Sequence, residues 1–218
     1  MEKRDNRGRR AYHAPQRAAA AAHTRELIVR AGREVFEERG WAATTVRTIA
    51  ERAGVSTKTI EAGFGTKAVL LQAAVDLAIR GDTGHAKMPQ RETVARIERA
   101  ASASVMLDLH ARHLRAINER SARIAWVVEQ AAGDDPVVDA LWDGMNQNRS
   151  YAVDWATTLL LRKPGRRSGL RRSDVEAAFW VALDWGTYRT LTRYGGLAPS
   201  GYEKWLRRYY RLAFLPCS

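Results

Sequence analysis

Between Leu114 and Ala131 the residues Leu114, Ile117, Ser121, Ile124, Val128 and Ala131 recur in alternating steps of three and four. That spacing lays one small or apolar side chain per turn along a single helical stripe, and it does not fit the two-residue period of a strand. The same period runs through most of the chain. Leu27, Ile28, Ala31, Val35 and Phe36 follow Thr24, and Val46, Ile49, Ala50 and Ala53 follow Thr45. Ile60 and Phe64 follow Ser56, and Leu70, Leu71, Ala74, Val75 and Ala78 follow Thr66. Val94, Ile97, Ala101, Val105 and Leu109 make a further stripe. Asp135-Pro136, an N-cap before a first helical residue, opens another through Val138, Leu141, Met145, Ala152, Trp155 and Leu159. Ser173 with Glu176, and Ser200 with Glu203, have capping-box spacing ahead of two more apolar helices. The prolines (Pro15, Pro89, Pro136, Pro164, Pro199 and Pro216) fall at segment edges, where a helical chain tolerates them. The expected fold is all-α, with about nine helices.

Charge divides this helical chain. Its 218 residues carry 36 Lys and Arg against 24 Asp and Glu, a net of +12 that favours a polyanionic partner. Residues 1–17 contribute +4 and residues 162–172 contribute +6, while the rest of the chain beyond Lys67 is balanced. The second run reads either as a solvated, flexible Gly/Pro connector or as a second anion contact. Residues 1–23 have no apolar period and read as a basic disordered arm whose alanine-rich end extends the first helix. The one cysteine, Cys217, precludes an internal disulfide or a cysteine-rich zinc site and suits a reducing compartment. Neither an apolar run of membrane-spanning length nor a secretory signal is found, so a cytoplasmic protein with no membrane partner is expected.

The stretch 45–64, TVRTIAERAGVSTKTIEAGF, carries the most information. A short helix ends at Ala53. Gly54 supplies the turn, Val55 an apolar plug, and Ser56 the cap of the next helix. This is either an ordinary helical hairpin or a helix-turn-helix whose second helix enters a DNA major groove. A wider pattern surrounds this stretch: Ile28, Ala31, Phe36, Gly40, Thr45-Val46, Ile49-Ala50, Ala53-Gly54-Val55-Ser56, Thr59-Ile60, Phe64, and Lys67 with Leu70. Residues 24–75 thereby resemble the DNA-binding domain of TetR/AcrR-family transcriptional regulators. The remainder matches only in helical style and length.

The resemblance implies a DNA-binding domain over 24–65 and a helical ligand-binding and dimerisation domain over 66–218. It implies a dimeric repressor of a pseudo-palindromic operator, released by a small molecule. Carried over by position, Thr45 meets a phosphate at a helix N-terminus and Arg47 reaches a base or phosphate. Thr57 and Lys58 read bases, Thr59 touches phosphate or supports packing, and Lys67 clamps a phosphate. Two positions depart from the family pattern, Glu61 standing where an aromatic is usual and Gly63 where His or Tyr is usual. Glu61 can accept from cytosine N4 or pair with Lys58. The basic arm offers compensation in the minor groove. The helices at 173–194 and 200–214 are the implied dimer interface, setting two recognition helices roughly 34–36 Å apart. The rival is that those faces complete a monomer's core.

Six of the seven tryptophans lie beyond residue 100. Core packing accounts for them, and so does an aromatic-walled pocket formed by Met106, Trp126, Trp142, Met145, Trp155 and Phe179 with the acids Glu129 and Asp184. The pocket reading implies a small hydrophobic effector, cationic if those acids face inward. No catalytic constellation is found. His110 and His113, three residues apart, read as solvated rather than metal-binding, and neither a phosphate loop nor a nucleophile elbow is present. No enzyme, metal or cofactor is expected. The alternative to a specific regulator is a non-specific nucleic-acid or anionic-membrane binder.

Overall fold

A computed structural model of the chain describes residues 7–81 and 92–216, with side chains from Gln16 onward in the first stretch. Among these residues there are ten α-helices, one π-helical turn and no strand. They are α1 (Arg7–Arg39), α2 (Val46–Ala53), α3 (Thr57–Phe64), α4 (Lys67–Arg80), α5 (Glu92–Glu98), α6 (Ala103–Ala131), α7 (Pro136–Arg162), α8 (Arg172–Ala182), α9 (Trp185–Arg189) and α10 (Pro199–Phe214). The π-helical turn, Thr190–Tyr194, follows α9. The chain divides into two compact units after Ala74, inside α4.

The first unit is built from α1, α2, α3 and most of α4. Ile28, Val35 and Phe36 of α1, Ile49 of α2, Ile60 and Phe64 of α3, and Leu70 and Leu71 of α4 are among its buried side chains. Each such side chain contributes about 1.5–3 kcal/mol by leaving water. Thr44 is buried in the loop after α1, and its Oγ1 donates toward the carbonyls of Gly40 at 2.6 Å and Val35 at 3.4 Å. From Arg7, the stretch read as a disordered arm is helical, the five alanines Ala18–Ala22 being the strongest helix formers available. Pro15 therefore lies within α1 rather than at its edge, where its missing N–H leaves one turn a bond short. Residues 16–23 are exposed on every side, and burial begins at Ile28.

In the second unit α6 is the central helix, packed by α5, α7, α9 and α10. Met106, Leu107, Leu114, Ala156, Leu160, Val175, Phe179, Tyr202, Leu206, Tyr210 and Phe214 share its core. The single stripe expected from Val94 to Leu109 is broken, because the chain leaves α5 after Glu98 and restarts at α6 with Ser102 accepting from Val105 N–H. Val105 is consequently exposed while Met106 and Leu107 are buried. The capping boxes at Ser173/Glu176 and Ser200/Glu203 do not form. Their helices start earlier, at Arg172 and Pro199, without side-chain caps, and the glutamates pair with Arg172 and with Arg207 instead. The helix expected over 173–194 is interrupted at Leu183-Asp184, where Asp184 accepts from Thr187 N–H and starts α9.

The basic run 162–172 is fastened rather than a free connector. Lys163 Nζ donates to the carbonyls of Glu98 and Ala100 at 2.6 and 2.7 Å, and Arg167 N–H donates to Phe214 O at 2.8 Å. Arg171 pairs with Asp174, and Arg172 with Asp154 and Glu176. Arg162 and Arg166 stay exposed. No single helix among the described residues is long and apolar enough to cross a membrane. Pro89 and Cys217 lie outside the described residues.

Candidate nucleic-acid interface

The turn between α2 and α3 is set by three local devices. Thr45 Oγ1 accepts from Thr48 N–H at 3.1 Å while Thr48 Oγ1 accepts from Thr45 N–H at 3.2 Å, a reciprocal cap on α2. Gly54 takes φ 66°, the left-handed conformation that closes α2 with Val55 N–H bonded to Ala50 O at 3.0 Å. Ser56 Oγ accepts from Thr59 N–H at 3.2 Å and lies 2.9 Å from Thr59 Oγ1. Val55 is half-buried, so it plugs the turn only in part.

These caps fix what α3 presents. Thr57, Lys58, Glu61 and Ala62 are exposed, while Ile60 and Phe64 are buried beneath them. Lys58 and Glu61 share the exposed side of a helix without an ion pair between them, so the lysine is not neutralised by that acid. Thr59 is exposed but its hydroxyl is engaged with Ser56. Arg47 is exposed and, among the described residues, paired to Glu51 one turn along, at 3.0 Å. A contact of that kind is worth a few tenths of a kcal/mol and yields readily to a phosphate. Thr45 lies at the N-terminus of α2 as expected, its hydroxyl occupied by the cap.

Lys67 has a different setting from the phosphate clamp expected. It is half-buried, its Nζ donating to Trp41 O at 3.0 Å and Thr44 O at 3.1 Å, and it lies 3.8 Å from the centre of the Trp41 ring. It fastens the loop that delivers Thr45 to the surface. Arg25 is a participant that the apolar period gave no means of finding. Its Nη1 donates to Gly63 O at 2.9 Å and its guanidinium lies 4.2 Å from the centre of the Phe64 ring, tying α1 to the last turn of α3. Gly63 itself has helical backbone, and a Cβ built there meets nothing within 4 Å. Arg52 reaches from α2 to Glu38 at 2.8 Å and to Glu34 at 3.1 Å on α1. Hydrogen bonds to Glu38 and then Glu34 hold its guanidinium above the ordinary arginine value.

The effector candidates in the second unit fall into two groups. Met106 and Phe179 are fully buried core residues, and Trp155 lies against His110 with Nε1 donating to Glu98 at 3.1 Å. Met145 is also buried. Near α9, Trp142 faces Trp185 at 6.4 Å, Trp126 lies under Arg189, and Asp184 pairs with Arg149 at 3.2 Å. Glu129 is exposed and does not face inward. His110, read as solvated, is buried, with Nδ1 2.8 Å from Tyr210 Oη. Burial, and secondarily the nearby His113, pushes its pKa down to about 3. Burial raises the Tyr210 phenol well above its usual value. Among the described residues no group of three His, Cys, Asp or Glu is placed to hold a metal ion.

The family model for bacterial regulatory proteins of the tetR family matches residues 28–74. No curated protein matches the sequence. Among solved structures, the chain is similar to NalD of Pseudomonas aeruginosa, the secondary repressor of the MexAB-OprM multidrug efflux pump, with TM-score 0.68 and 19% identity over 90% of this chain and 98% of that one. A transcriptional regulator from Saccharomonospora viridis, solved in complex with choline, gives TM-score 0.67 and 15% identity over 90% of this chain and all of that one. A regulator of the TetR family from Rhodococcus sp. gives 0.63 and 15% over 88% and 98%. Residues 28–74 are thus a tetR-family domain, carried on a chain with the fold of the TetR-family transcriptional regulators.

Proposed function

We propose that this chain is a sequence-specific DNA-binding repressor, acting as a homodimer on a pseudo-palindromic operator and losing DNA affinity when a small hydrophobic effector binds its larger unit. The observation that carries the reading is the first turn of α3. Thr57 and Lys58 stand exposed beside a capped helix start, on a helix whose other side is buried through Ile60 and Phe64. A lysine so placed donates to guanine acceptors in the major groove, while Arg47 and the N–H groups at the start of α2 meet phosphates. Because Glu61 supplies no phosphate contact, the helical extension of α1, with the arginines of residues 1–17, supplies the missing backbone affinity.

The dimer is supported by α8 and α10, which leave Val181 46% and Leu212 70% exposed. The effector is supported by kinship of fold. NalD is a repressor of a multidrug efflux pump, and the regulator from S. viridis holds choline. Coupling has a candidate carrier in α4, one unbroken helix from Lys67 to Arg80 whose last carbonyls, Ala78 and Ile79, accept from Arg120 of α6. An effector shifts the protein between states only by its difference in affinity for them.

Selection of bound sites from random duplex DNA tests the reading. The expected product is a symmetric motif, with Lys58→Ala relaxing base preference at one position per half-site by about 1–3 kcal/mol. Equal binding of every sequence would replace a specific regulator with a general polyanion binder.

A further inference from the structure

Two tryptophans of the larger unit already carry a cation on their faces. The guanidinium of Arg189 lies 3.1 Å from the centre of the Trp126 ring, and that of Arg149 lies 4.7 Å from the centre of Trp180. The two are held differently. Arg149 is ion-paired to Asp184. The Nε of each is buried without a partner, but for Arg189 no ion pair or side-chain hydrogen bond is found among the described residues to offset it. A buried donor that has given up water and gained nothing opposes the arrangement, so the Trp126 face is what holds this guanidinium in place.

The position matters as much as the contact. Arg189 is the last residue of α9, where the backbone passes into the π-helical turn Thr190–Tyr194. One turn earlier, Trp185 Nε1 donates to Ser121 Oγ of α6 at 3.1 Å. The short helix is therefore pinned to α6 at both ends, by a hydrogen bond at one and by a cation on a ring at the other. Beyond the π turn, Leu197 N–H bonds to Leu191 O at 3.0 Å, just before α10 begins. π-helical turns of this kind recur where a backbone must rearrange.

We propose that Arg189 is a built-in occupant of a site for an organic cation that has no N–H donors, a quaternary ammonium, with the Trp126 ring as its receiving face. The chemistry follows from the orphaned Nε. A quaternary ammonium is drawn to the same face but brings no donor that must be satisfied, and the Arg189 it displaces recovers water for its own. A primary amine or a guanidinium would inherit the unsatisfied donor. Exchange releases the C-terminal end of α9 from α6 and frees the π turn that precedes α10. This inference rests on the effector reading above and names the ligand class.

Phenyltrimethylammonium, titrated calorimetrically into the full chain, tests it. Removing the occupant with Arg189→Gln tightens binding about tenfold, as expected when a competing bound state is abolished. Trp126→Leu removes that gain, and neutral tert-butylbenzene shows none. Arg189→Lys, which keeps the charge and the stem but loses the planar stack, gives a smaller gain and serves if the glutamine variant does not fold. Unchanged or weaker binding by both Arg189 variants overturns the proposal, as does a gain that survives Trp126→Leu. Operator release is read on the same samples. Tighter binding without release overturns the effector reading and leaves the site standing, whereas release without tighter binding does the reverse.

Discussion

His110 is a titratable ring held where it cannot take a proton. It is 2% exposed, packed against Phe179 and Tyr210, with its pKa pushed down to about 3 from 6.5 by burial first and His113 second. The unfolded chain protonates this residue below 6.5 and the folded chain does not, so stability falls as pH falls through that window. The loss is about 1.4 kcal/mol per pH unit between 6.5 and 3. Urea unfolding at pH 7 and pH 5 should show His110→Gln losing about 2 kcal/mol less than the parent on acidification, and parallel losses would count against the assignment. Lys67 makes a second prediction at this scale. Lys67→Met takes its donor from Thr44 O and one of two from Trp41 O, which keeps Thr44 N–H, and should lower the unfolding free energy by about 1–3 kcal/mol, while Lys58→Met stays within about 0.5. Neither setting was legible in the sequence. A His on a helix gives no local sign that a tyrosine a hundred residues away will enclose it, and Lys67 carries the same family position whether it faces phosphate or carbonyl.

At the scale of elements, the devices that are local in sequence were readable and those made by tertiary contact were not. Thr45, Gly54, Ser56 and Asp135-Pro136 mark helix ends through atoms within a few residues, and all four act where the pattern placed them. The break at Leu183-Asp184 is different. It is stabilised by Arg149 from α7 and by Ser121 from α6, which no neighbouring residue announces. Likewise Ser200 could not cap α10, since Pro199 already begins it. The two glycines of the candidate interface separate conformation from propensity. Gly63 has helical backbone and open space, so Gly63→Ala should stabilise by about 0.5–1 kcal/mol. Gly54 has φ 66°, so Gly54→Ala should cost roughly 1–2 kcal/mol although the space there is equally open. Chemical denaturation of the two variants checks both signs.

For the whole molecule, the decisive quantity is how many copies act together. Leu212, 70% exposed on α10, is the sharpest apolar side chain left without cover on the element expected at the dimer interface. Leu212→Glu should halve the mass seen by light scattering and weaken operator binding by far more than Lys58→Ala, while thermal unfolding of the subunit changes little. An unchanged mass would count against a dimer built on this face. The helical character of the chain followed from its period, and the charge of its first third from simple counting, whereas the connector reading of 162–172, one of the two left open, missed contacts that only the fold supplies. Those contacts carry a practical consequence. Trypsin needs several residues drawn out straight before it cuts, and a chain with 36 lysines and arginines offers it many targets. With Lys163 anchored on α5's end and Arg167 bonded to the last residue of α10, the most arginine-dense stretch should be among the slowest to be nicked. Digestion would begin elsewhere and leave a resistant fragment that still contains it.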